Sequence, residues 1–193
     1  MKSEIIERRL ERYVNESVLI DSSEPSRKIQ LTQSAGNFLY LMIKSIKAKR
    51  ILQIGTFGGN NALWLGSAAS YTGGLVVALQ CEPKKSTIAK LNFKTANLLK
   101  SIQLIDENLE SAIRNFRAPF DLMFLDSYVE DYLHYFKLAY SKIRPGGIII
   151  TDKAVSHYDE LEEYMDYICR ITDLESTLAP IGKGLIISYK KQK

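Results

Sequence analysis

The sequence predicts an α/β fold in which a mostly parallel sheet is covered by helices on both faces. Two observations carry this expectation. Short apolar runs at residues 50–55 (RILQIG), 75–81 (LVVALQC), 120–126 (FDLMFLD) and 147–152 (GIIITD) alternate with longer segments of helical period. Strands without polar alternation are buried on both faces, as in parallel sheets flanked by helices. The first run also leads directly into a glycine-rich loop, residues 55–61 (GTFGGNN), that opens a helix. In such folds ligands sit at the carboxyl ends of the strands, near the point where the strand order reverses.

The elements follow in order. Residues 3–19 fit an amphipathic helix, because Ile6, Leu10, Val14 and Val18 recur every four residues among Glu, Arg and Asn. A polar break at 21–26 precedes a second helix, which starts after Thr32, a good N-cap, and runs to about Lys47. After the strand at 50–55 come a helix at 60–69, a strand at 75–81 behind the Gly73-Gly74 turn, and a helix from Pro83 to about Leu99. A third strand covers 101–105, a short helix 109–116 and the fourth strand 120–126. The helix at 130–142 stops before Arg144-Pro145-Gly146-Gly147. The fifth strand at 147–152, a helix at 159–171 and a closing hairpin around Gly182 and Gly184 complete the chain. Residues 1–193 are expected to form a single domain, with N-terminal helices over 1–48 and the sheet-based core over 49–193.

Composition narrows the function. At 193 residues, 46% of them hydrophobic, the chain can bury a sizeable core, which excludes disorder as its main state. No uncharged run approaches the roughly 20 residues that span a bilayer, and the charged start MKSEIIERRLERYV is not a secretory leader. Cys81 and Cys169 match no metal or redox spacing, so a reduced, cytoplasmic protein with no membrane partner is expected. A net charge of +4 is too mild to argue for nucleic acid. The loop at 55–61 lacks the spacing of the dinucleotide fingerprint and the G-K-[ST] of a P-loop, which argues against nucleotide hydrolysis. Its glycines let backbone approach a ligand, and the helix start offers N–H groups to a carboxylate or phosphate.

The segment ILQIGTFGGNNALWL resembles the first motif of the S-adenosylmethionine-dependent O-methyltransferases of the catechol and caffeoyl-CoA type. Further stretches agree in order and spacing: LTQSAGNFLYLM, FDLMFLDSYVEDYLHY, IRPGGIIITDKAV and PIGKGLIISYKK. The resemblance covers residues 30–190. It implies a Rossmann-like class I methyltransferase fold, a seven-stranded, mostly parallel sheet with an antiparallel last strand, and a cofactor site at the ends of strands one to four. By this resemblance Leu31, Gly55, Thr56 and Gly59 line the methionine end of S-adenosylmethionine, and Asn61 meets its carboxylate. Gln53 replaces the acid of the first motif. Gln80 stands where the family has the glutamate that grips the ribose, Glu107 stands beside the adenine, and Asp126 touches the cofactor. Members of the family often form homodimers with N-terminal helices at the interface; the apolar face of the helix at 3–19 permits this, and equally permits packing on the chain's own sheet.

Departures from the family pattern shape the expected chemistry. Two acids are amides here, Gln53 and Gln80, and a carboxylate binds hydroxyls about twice as strongly as a neutral acceptor. Glu82, two residues after Gln80, is placed to compensate. The family's divalent ion is held by two aspartates and an asparagine; Asp126 and Asp152 match the aspartates, but Lys153 replaces the asparagine. An ammonium has no lone pair to ligate with and competes for the carboxylates. No metal is therefore expected, Mg²⁺ included, with Asp126 and Asp152 the residual candidates. The family's general-base lysine is Val129. Lys153 and Asp126 become the catalytic candidates, ahead of Tyr128 and His157, although the carboxylates that orient Lys153 also hold its proton. The short connection after Asp152 leaves the acceptor pocket open. The expected activity is O-methyl transfer to a small hydroxylated acceptor. A hydroxylated uridine in tRNA is the runner-up, and a non-catalytic cofactor-binding or scaffold protein the alternative of another class.

Overall fold

The computed structural model describes residues 31–192. The predicted helix at 3–19, and with it the N-terminal dimer interface, lies outside the described residues. Thr32 caps α1 (Gln33–Ser45), its hydroxyl accepting from the Ala35 amide at 3.3 Å. There follow β1 (Arg50–Ile54), a 3₁₀ turn (Phe57–Gly59), α2 (Asn60–Thr72), β2 (Leu75–Leu79), α3 (Pro83–Thr95), β3 (Ile102–Ile105), α4 (Leu109–Asn115), β4 (Phe120–Leu125), α5 (Tyr132–Ala139), β5 (Ile143–Thr151), α6 (Glu162–Cys169), β6 (Leu174–Ala179) and β7 (Leu185–Lys190).

The seven strands form one sheet in the order β3-β2-β1-β4-β5-β7-β6. β1 pairs in parallel with both β2 and β4, while β7 is antiparallel to β5 and β6. The order reverses at β1, so the crevice between the carboxyl ends of β1 and β4 is the binding position of this topology. Alternation along the strands splits the core in two. Leu52, Ile54, Met123 and Leu125 pack with Tyr132, Phe136 and Tyr164 on one face. Ile51, Leu122 and Phe124 pack with Leu39, Ile43, Leu63 and Leu65 on the other. A side chain that follows β4 in step after Leu122 and Phe124, Asp126, therefore belongs to the face of α1 and α2.

α2 is buried almost all round and lies against α1. A Cβ on Gly36 would sit 2.4 Å from the Trp64 ring, so glycine is what lets the two helices meet. This contact brings the chain just before α1, at Leu31, over the start of α2.

Several boundaries differ from the sequence reading. β2 stops at Leu79, so Gln80 to Glu82 are loop rather than strand, and Glu82 becomes the N-cap of α3. α3 ends at Thr95 because Asn97 takes a left-handed turn with φ 57°, which asparagine tolerates, and the Leu98 amide bonds back to Phe93. β5 begins at Ile143, four residues early, because Ile143 pairs with Phe120 before a register shift. No helix among the described residues is long and apolar enough to cross a membrane.

Candidate active site

The β1–α2 turn is built for close approach. Gly55, Gly58 and Gly59 all have positive φ. A Cβ on Gly55 would lie 2.6 Å from the Asp126 carbonyl oxygen, and one on Gly59 would lie 2.7 Å from the Phe93 ring. Glycine at Gly55 therefore allows β1 and β4 to converge at their ends, and Gly59 lets α2 start against α3. No side chain caps the N-terminus of α2, since its N-cap residue is Gly59. Thr56 is fully buried, with no hydrogen-bond partner for its hydroxyl among the described residues.

Asn61 ties the crevice together. Its Oδ1 accepts from the Leu31 amide at 3.1 Å, and its Nδ2 donates a short bond to Asp126 Oδ2. The other oxygen of Asp126 lies 3.5 Å from Lys153 Nζ, and the same ammonium donates to the Ser127 carbonyl at 3.0 Å. Asp126 is wholly buried and Lys153 is 5% exposed. Burial drives the Asp126 carboxyl up to about 7, and the neighbouring Asp152 adds to this; the Lys153 charge and the Asn61 bond oppose it.

Asp152 follows β5 and is 1% exposed; neither carboxylate oxygen has a hydrogen-bond partner among the described residues. Burial raises its carboxyl, against the Lys153 amide and the charges of Lys153, Lys183 and His157. The Tyr132 hydroxyl is also buried without a partner, and burial, with Asp126 and Asp152 next in effect, holds it strongly protonated. The Lys153 ammonium stands 5.8 Å from the centre of the Tyr132 ring. Lys153 itself has φ 68°, a left-handed conformation that turns the chain sharply after Asp152.

The remaining expected residues are placed as follows. Gln53 is fully buried and donates to the Gly55 carbonyl at 3.3 Å, bracing the turn, while its Oε1 has no partner. Gln80 Oε1 accepts from the Cys81 and Glu82 amides at 2.9 and 3.0 Å. Only the oxygen can accept from two N–H groups, so its Nε2 is the head left for a ligand. Glu82 pairs with Lys85 at 2.7 Å, and Lys85 Nζ lies 3.5 Å from the Tyr128 hydroxyl. Glu107 is exposed, one residue after Asp106, which pairs with Lys90 at 2.6 Å. The structure thus gathers Leu31, Gly55, Thr56, Asn61, Asp126, Asp152 and Lys153 at the ends of β1, β4 and β5. Gln80 and Glu82 stand at the end of β2 and Glu107 just after β3. His157 bonds the Ser156 hydroxyl at 2.7 Å, and Val129 packs on the core beside Tyr132.

The connection after Asp152 is latched onto the last hairpin: the Ala154 amide bonds to the Gly184 carbonyl at 3.0 Å, and the Val155 and Ser156 amides bond to the Lys183 carbonyl at 2.9 and 3.0 Å. Lys183, which this latch brings to the site, and Lys85 were not singled out. The G-K-G turn at 182–184 was the available signal, but its partner loop lies some thirty residues away in sequence.

A family model described as O-methyltransferase matches residues 6–180. A catechol O-methyltransferase from Mycobacterium tuberculosis is 32% identical over 136 residues, 70% of this chain and 61% of that relative. The chain spans about three fifths of the length of the curated relatives it matches first, 61% and 62%. Among solved structures, a Podospora anserina methyltransferase with SAH bound superposes with a TM-score of 0.84 at 19% identity, covering 95% of this chain and 88% of that one. An O-methyltransferase from Bacillus cereus in complex with SAH gives 0.77 at 25% identity, covering 94% and 90%.

Proposed function

Since this chain belongs to the O-methyltransferase family, we propose that it methylates a hydroxyl oxygen of a small acceptor, with S-adenosylmethionine as donor and without a divalent ion. The observation that carries this reading is the Leu31–Asn61–Asp126 chain of hydrogen bonds across the β1–β4 crevice. It holds the strand ends, the α2 N-terminus and the segment before α1 in one geometry.

When bound, S-adenosylmethionine supplies an electrophilic methyl group, and the protein contributes mainly position. The backbone of Gly55 to Gly59 and the uncapped amides of α2 receive the carboxylate end. Gln80 Nε2 donates to the ribose hydroxyls, replacing the acceptance a carboxylate provides. Asp126, tied by Asn61 and Lys153, cannot swing, and Asp152 offers two buried oxygens to an acceptor O–H. The Lys153 ammonium, already donating to Ser127, holds its proton, so an acceptor that is acidic or already ionised suits the site best.

The donor set does not fit the family's divalent ion. Asp126 spends one oxygen on Asn61 and faces Lys153 with the other, and the third position is an ammonium. Among the described residues no group of three or more His, Cys, Asp or Glu could hold a metal.

Calorimetric titration of S-adenosylmethionine, first with EDTA and then with excess Mg²⁺, tests the proposal. Binding with the same affinity in both conditions is expected. Mg²⁺-dependent binding would overturn the metal-free site, and absence of binding in both would leave a non-catalytic scaffold.

A further inference from the structure

We propose that Lys85, in the first turn of α3, is a positioning residue of the cofactor site: it straps Glu82, at the end of β2, to Tyr128, beyond β4, across the mouth of the crevice. This rests on the reading that S-adenosylmethionine binds there, and adds the residue that closes over its nucleoside half.

The sheet order places the strap. β1 lies between β2 and β4, so the loops that follow those two strands stand about 10 Å apart, on either side of the carboxyl end of β1. Lys85 spans that gap. Its Nζ donates to Glu82 Oε1 at 2.7 Å and to the Tyr128 hydroxyl at 3.5 Å, and it stands 5.9 Å from the centre of the Tyr128 ring. The firm end is at Glu82. The loose end is at Tyr128, where the contact is longer than an ordinary hydrogen bond and opens at little cost. The strap therefore crosses the end of β1, where the turn of Gly55 to Gly59 begins, and it starts two residues after Gln80.

Local stability does not account for a lysine at this position. α3 has no acid in its first turn, and the positive end of a helix dipole disfavours a cation. Lysine side chains are ordinarily solvated, yet that of Lys85 is 12% exposed while the adjacent Lys84 is exposed. Glu82 is the N-cap of α3 but makes no side-chain capping bond; its carboxylate turns to Lys85 instead. Tyr128 is 46% exposed, so its ring is not placed by the core. An ammonium held firmly at one end and loosely at the other can release Tyr128 to admit a nucleoside and then close behind it, keeping Glu82 turned to the ribose hydroxyls.

The test is a double-mutant cycle on the full chain, read by calorimetry and surface plasmon resonance with S-adenosylmethionine. It compares the unmodified protein with Lys85→Met, Tyr128→Phe, the double variant, Lys85→Arg and, as a control in the same turn, Lys84→Met. Lys85→Met is expected to weaken binding about tenfold, through a faster dissociation rate and no slower association. Tyr128→Phe is expected to act in the same direction, and the double variant to bind no more weakly than Lys85→Met, because both changes cut one strap. Lys85→Arg should retain affinity within about threefold, and Lys84→Met should change nothing. The melting temperature of Lys85→Met should not fall, since a cation leaves the positive end of a helix. Unchanged affinity in Lys85→Met, or an equal loss in Lys84→Met, would overturn the proposal. So would losses that simply add in the double variant, or a lowered melting temperature with an unchanged dissociation rate. An unmodified protein that does not bind S-adenosylmethionine would overturn the cofactor reading itself, and the strap with it.

Discussion

Lys153 Nζ lies 3.5 Å from Asp126 Oδ1, on the carboxylate oxygen that Asn61 does not hold. Both side chains are almost entirely out of water. Such a pair gains Coulombic energy in low dielectric but each charge loses its hydration, so its net worth is small while the loss of one member is not.

Lys153→Met should therefore destabilise the fold by about 3 kcal/mol near pH 9, where Asp126 is ionised beside Lys153 and the variant must either bury that charge alone or take up a proton. The loss should shrink towards pH 5, where Asp126 is protonated and needs no partner. Urea unfolding at both pH values checks this; an equal loss at each would mean that Lys153 stabilises by packing and not by charge.

Asp126 makes a second pH prediction. Its carboxyl is pushed up to about 7 in the folded state, from an ordinary 3.8. Between those values the folded protein keeps a proton that the unfolded chain has lost. Stability from this group is thus fully present below about pH 4 and lost as the pH rises through about 7, by up to roughly 4 kcal/mol. Asp126→Asn should remove that slope. Parallel stability curves for the two proteins from pH 4 to 8 would rule Asp126 out as the titrating group.

Gly55→Ala should cost about 2 kcal/mol or more, since φ 85° and a contact of 2.6 Å with the Asp126 backbone leave no room for a methyl group. The strand ends would have to part, and S-adenosylmethionine binding should be lost before global folding. Calorimetry on a variant that still melts cooperatively separates the two effects. Undiminished cofactor affinity would show that the β1–β4 convergence is not part of the site.

Gln80→Glu should tighten S-adenosylmethionine binding about tenfold. A carboxylate can accept from the Cys81 and Glu82 amides with one oxygen and from a ribose hydroxyl with the other, as a charge-assisted bond. The isothermal dissociation constants of the two proteins decide it. Weaker binding in the variant would mean that the bond from Gln80 Nε2 outweighs the charge-assisted bond a carboxylate accepts.

Much of the architecture was readable because it depends on local signals. Apolar runs of four to six residues bounded by glycine or a cap identify the buried strands, and Thr32 and Pro83 mark helix starts, where the hydroxyl can cap and the ring fits. The glycine-rich turn was equally legible, since positive φ is written in residue type. Boundaries set by a neighbour were not. β5 extends back to Ile143 only because Phe120 pairs with it, and the edge strand β6, with four exposed residues in six, carries no apolar pattern of its own.

The site divides along the same line. That Asp126, Asp152 and Lys153 follow strands four and five was determined by the sequence alone. Which carboxylate oxygen each partner takes, and the latching of the loop after Asp152 onto the last hairpin, were decided only by tertiary structure. Hydrogen-bond geometry and burial depend on groups brought together from residues 61, 126 and 153. No local pattern records how deeply a charge will be buried or what will face it.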